Sequence, residues 1–254
     1  MFATAGVELI LAQRLQLVPD LSPLHAGLVV AGSAIGAIPA GVVVGGPVYR
    51  VPTRHLIGGG LLVGAVGVAP TLLLTPGAGP LLGAGRAAGW VVPAVILTGL
   101  GLGAVMTAAS AAITGGAPPH RAGMASSVEE VSFELGSLTG VAVLGSVLTA
   151  VYTATVDLPA GAPGTASDSI DEARAVAGEL PPGGSRSLLE SAASAFDNGC
   201  TLTLVVSAAV LAAGGITARR LLGHRTATAA PAEETPGDGP GGTGAVTGTS
   251  PSPR

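Results

Sequence analysis

The side chains with the strongest claim to chemistry lie in one run, Ser126-Ser127-Val128-Glu129-Glu130-Val131-Ser132-Phe133-Glu134-Leu135-Gly136. Glu130 and Glu134 are four apart, so a helix puts them on one face. Ser126 and Ser137 lie close to that face. A carboxylate at membrane depth is costly unless it faces a cavity, finds a partner or takes a proton. So placed, Glu130 and Glu134 could load and release protons. Two other readings stand beside this one. The helix is longer than one bilayer needs, so Glu129 and Glu130 could reach the headgroups at its end. The stripe could also serve helix packing.

A second polar set lies near the amino terminus: Glu8, Gln13, Arg14 and Gln16. Glu8 sits in the middle of an apolar stretch. Gln13 and Gln16 are three apart and share a helix face, where they could line a polar pathway. Arg14 and Gln16 fall near the end of the stretch, within snorkelling reach of water.

Both sets need helices to position them, and the composition says in what solvent. Charged residues make up 10% of the 254-residue chain, against roughly 25% in a soluble domain. The segment 90–113 carries no ionisable group, and 55–75 carries only His55, at its start. A bilayer core of about 30 Å takes about 20 helical residues. Every backbone N–H and C=O there must bond internally, so helix is the default. The runs do not alternate as the strands of a membrane barrel would. The expected fold is an all-α integral membrane bundle of six transmembrane helices, at about 2–18, 23–49, 55–75, 90–113, 121–155 and 196–222. The first of these reads as a helix that lacks its start.

The segment 156–195 reads as a polar loop with two Ser-x-x-Glu capping boxes, Ser169 with Glu172 and Ser187 with Glu190. A short surface helix is expected after the first, and the second is expected to lead into the last span. Residues 223–254 are rich in Ala, Thr, Pro and Gly. Such a stretch buries too little apolar surface to order itself, so a disordered tail is expected.

Arginine placement sets the orientation. Arg50, Arg54, Arg121, Arg219, Arg220 and Arg225 fall on one side of the six-span scheme, and most of the loop acids fall on the other. The expectation is a multi-pass protein of the cell membrane with both termini cytoplasmic and 156–195 outside. Small residues recur four apart inside the spans, as in Gly99/Gly103 and Gly136/Gly140, where they let helices in lipid approach closely.

Several function classes drop out. There is no metalloprotease, nucleotide-loop or serine-elbow motif, so an enzyme is not expected. Cys200 is the single cysteine, which excludes an internal disulfide and a cysteine metal cluster. The four histidines fall near loops or ends, so neither metal nor other cofactor is expected. No basic stripe is present for nucleic acid. With 3 Phe, 2 Tyr and 1 Trp, an aromatic drug cage is not expected within the chain.

Further motifs follow a family pattern in order. They are Gln13-Arg14-Leu15-Gln16-Leu17-Val18, Leu21-Ser22-Pro23-Leu24-His25-Ala26-Gly27-Leu28, the glycine span 99–104, and Ala117-Pro118-Pro119-His120-Arg121-Ala122-Gly123-Met124-Ala125-Ser126. Glu134-Leu135-Gly136 with Gly140-Val141-Ala142-Val143-Leu144-Gly145-Ser146 completes the set. Together they resemble the major facilitator superfamily, and most closely its fourteen-helix drug:proton antiporters. The match runs from about Gly6 to Arg220 and corresponds to that family's carboxy-terminal half.

The resemblance implies a transporter whose substrate site lies between two halves that rock about it. It implies efflux of a drug-like small molecule, with Glu134 and Glu130 exchanging protons. The partners implied are the lipid bilayer, protons, the substrate and a missing amino-terminal half. The alternative is a non-transporting membrane remnant or an assembly partner of a separate amino-terminal half.

Overall fold

A computed structural model describes residues 1–17, 23–46, 51–74 and 84–225. Seven helices carry them: α1 Phe2–Leu17, α2 Pro23–Gly45, α3 Thr53–Val68, α4 Ala84–Gly115, α5 Ala122–Thr155, α6 Ile170–Ala177 and α7 Pro182–Arg225. Among the described residues, four long apolar stretches, Gly27–Gly45, Val91–Gly115, Pro119–Thr155 and Pro182–Leu221, are long enough to cross a membrane. The chain is an all-α integral membrane bundle. Helices α1 and α3 have 16 residues each, about 24 Å at the usual rise. A 3-10 turn over Ala69–Leu74 prolongs α3, where Pro70 removes a backbone donor.

The helix that carries the last expected span is longer than that span: α7 begins at Pro182, well before residue 196, and ends at Arg225. Pro182-Gly183-Gly184 argues against helix by propensity, but proline is tolerated in a first turn. The added turns bury Leu188, Ala192 and Ala195 in the core, which outweighs the glycine cost. The Ser187 box therefore falls inside a helix, and Glu190 instead accepts from Arg186 Nε at 2.8 Å. The Ser169 box does start a helix: its Oγ accepts from the Glu172 N–H at 3.1 Å. The expected tail lies outside the described residues from 226 on.

Glycines set the packing. Helix α4 lies between α2 and α3, its main neighbours. On one side, a methyl group at Gly99 or Gly103 would collide with the carbonyls of Ser33 and Ala37. On the other, one at Gly60 would come within 2.7 Å of the Gly101 carbonyl oxygen. Helix α7 packs on α3 and α5, and α1 packs on α5 and α7. Gly140 of α5 faces the Phe2 backbone, and Gly136 faces Met1. Helices in hydrocarbon gain little from hiding apolar surface, so this close contact holds them together.

One end of the bundle is capped by α6. Ile170, Ala173 and Val176 pack on Ile10, Leu144, Leu148, Leu188 and Phe196. The Tyr152 hydroxyl lies 3.1 Å from the carbonyl oxygens of both Ala166 and Ser169, fastening α5 to the cap.

Candidate transport pathway

At the end away from α6, α4 and α5 touch only lightly. An open cleft of about 610 Å³ separates them, lined among others by Thr107, Ser110, Thr114, Glu129, Glu130 and Phe133. The three hydroxyls repeat at helical spacing along α4. Thr107 donates to the Gly103 carbonyl at 2.9 Å and Thr114 to the Ser110 carbonyl at 2.7 Å. Ser110 Oγ instead reaches across and donates to Glu129 Oε2 at 3.3 Å. The named lining residues are rich in acceptor oxygens and include no basic side chain.

Glu129 is 9% exposed. Its carboxylate is turned toward α4 rather than outward. Its position had a signal in the sequence. Counting back from the packed face of α5, Leu144, Gly140, Gly136 and then Glu129 fall at intervals of four, four and seven, which keep one helix face. Glu130 lines the same cleft with its side chain exposed. Glu134 is exposed and lies outside the named lining, as does exposed Ser126; Ser137 is half-buried. Glu130 and Glu134 thus sit on a face that also exposes Val131, Leu135 and Leu138.

The first helix divides its polar set. Glu8 and Gln13 are half-buried. Gln13 lines a separate cavity of about 180 Å³ under α6, with Tyr152, Asp168, Asp171 and Phe196. The Gln16 side chain lies outside the described residues. Arg14 does not snorkel. Its Nε meets Asp197 Oδ1 of α7 at 2.7 Å, with the residues 8% and 3% exposed. The spacing of 183 residues left this pair without a sequence signal. Gly99, Gly103, Gly136 and Gly140 lie at the helix contacts described above. Among the described residues no three His, Cys, Asp or Glu side chains group as a metal site would require.

A membrane-embedded helical bundle with an open cleft lined by two carboxylates defines the class: a multi-pass membrane protein. No family model matches the chain. Individual relatives do. The chain is 37% identical over 220 residues to the multidrug efflux pump LfrA of Mycolicibacterium smegmatis, covering 83% of this chain and 41% of that protein. It is 30% identical over 203 residues to the methyl viologen resistance protein SmvA of Salmonella typhimurium, covering 77% and 39%. It is 32% identical over 145 residues to the puromycin resistance protein pur8 of Streptomyces alboniger, covering 57% and 28%. The chain belongs to the major facilitator superfamily, on its drug:proton antiporter branch. It spans about two fifths of the length of the first two relatives.

Proposed function

We propose that the chain is the carboxy-terminal half of a proton-coupled transporter that exports drug-like small molecules across the cell membrane. An amino-terminal half completes the pathway, and both termini face the cytoplasm. The observation that carries this reading is the arrangement of acids on α5. Glu129 and Glu130 line an open cleft, and Glu134 lies one turn further along an exposed face. Charge on a membrane-length helix calls for water or protein against it rather than lipid. A second half enclosing an aqueous cavity supplies both.

Protons exchange on Glu129 and Glu130, with Glu134 and Glu8 further along the pathway. The substrate occupies the cleft while the acids are ionised. The half-buried Gln13 belongs to the far end of that pathway, and Ser126 lines it.

The test is resistance and accumulation. Cells carrying the chain together with a relative's amino-terminal half are challenged with methyl viologen and puromycin. Export that requires both halves and a proton gradient is the expected result. Glu129→Gln is expected to lower it at least tenfold, and Glu134→Gln to lower it measurably. Unchanged proton-driven export in Glu134→Gln would remove Glu134 from the mechanism. Unchanged export in Glu129→Gln would remove the cleft.

A further inference from the structure

The Arg14–Asp197 pair has a placement that packing alone does not explain. It joins α1 to α7 on the seam beside the cavity under α6, and the residues immediately before each partner, Gln13 and Phe196, line that cavity. Beneath the pair the seam is closed to solvent. Ile10, four residues before Arg14, and Cys200, three after Asp197, are each 1% exposed and belong to one core cluster. Those spacings put each on its partner's helix face, one turn along. The other end of α1 is held differently, by the Phe2 backbone seated on Gly140 of α5. Helix α1 is therefore anchored by close backbone contact at one end and by a charge pair at the other.

The two kinds of contact behave differently when a seam opens. Backbone contact through glycine has nothing to gain from water. Two charges that separate into water regain the hydration they gave up, so a buried ion pair adds little net stability yet keeps a defined closed geometry. We propose that Arg14–Asp197 is a latch that shuts the α6 end of the bundle between α1 and α7, and that its release lets water reach Cys200. This goes beyond the export reading and does not depend on it.

The chain contains its own reporter, because Cys200 is its one cysteine. The purified chain in detergent is reacted with N-ethylmaleimide, and labelling is followed by mass spectrometry, with Cys200→Ser as the blank. The wild type is expected to label at least a hundredfold more slowly than a free thiol. Arg14→Gln and Asp197→Asn are each expected to label at least tenfold faster than wild type while remaining monodisperse and helical. The charge exchange R14D/D197R is expected to return the rate to within about threefold of wild type. Fast labelling of the wild type overturns the latch. So do wild-type rates in both folded single variants, or fast labelling of a folded exchange variant. Should the single variants not fold, a folded and protected exchange variant supports the latch. Failure of all three to fold makes the pair a folding requirement and also overturns it.

Discussion

Tyr152 shows how much one hydroxyl can organise at the α6 end. Its ring is buried in the core that α6 covers, and its hydroxyl sits between the carbonyls of Ala166 and Ser169. Tyr152→Phe keeps the ring and leaves those carbonyls short of a donor. The expected cost is about 1 kcal/mol, read as a lower unfolding midpoint in detergent and faster proteolysis within 156–181. Arg14 belongs to a costlier category. Arg14→Ala strands the Asp197 carboxylate, which for a buried pair costs roughly 3–5 kcal/mol. Thermal unfolding should separate the two variants clearly. A fall for Arg14→Ala no larger than that for Tyr152→Phe would mean that water reaches Asp197.

At the scale of elements, the sequence marked the helices better than their ends. Pro23 and Pro118-Pro119 lie next to the starts of α2 and α5, where the chain chemistry puts them. The start of α7 was not legible, because Gly183 and Gly184 weigh against helix locally and the compensation comes from Leu188 packing elsewhere. Glycine spacing alone likewise does not separate contacts from coincidence. Gly41/Gly45 and Gly99/Gly103 look alike in the sequence. Nothing lies within 4 Å of a methyl group placed at Gly45, whereas one at Gly103 meets the Ala37 backbone. Gly45→Ala is therefore expected to change stability by less than about 0.5 kcal/mol. Gly103→Val is expected to cost roughly 1–3 kcal/mol by overpacking the α2–α4 contact. Paired unfolding measurements check both, and equal effects would refute the packing assignment.

For the whole molecule, the exposed acids of α5 matter most. Glu130 and Glu134 share a face with Val131, Leu135 and Leu138, which suits neither open water nor open lipid. The chain is expected to need detergent or lipid to stay dispersed, and to export no methyl viologen without an amino-terminal half. Solubility of the folded chain in buffer would contradict the membrane assignment. Export by the chain alone would contradict the two-half reading and leave the membrane assignment intact.

Long uncharged runs determined by themselves that the chain is helical and membrane-embedded. Solvent preference is a sum over residues, and a sum survives without coordinates. The motif order likewise carried the family. Which carboxylate turns inward was decided by the rotation of α5 against α4, which brings Glu129 rather than Glu134 to Ser110. The meeting of Arg14 with Asp197 was decided by how α1 lies along α7. Both are relations between helices; the first leaves a trace in the spacing of Glu129 from Gly136, Gly140 and Leu144, and the second leaves none, because lipid imposes no periodic polar pattern that would encode a meeting of residues 183 apart.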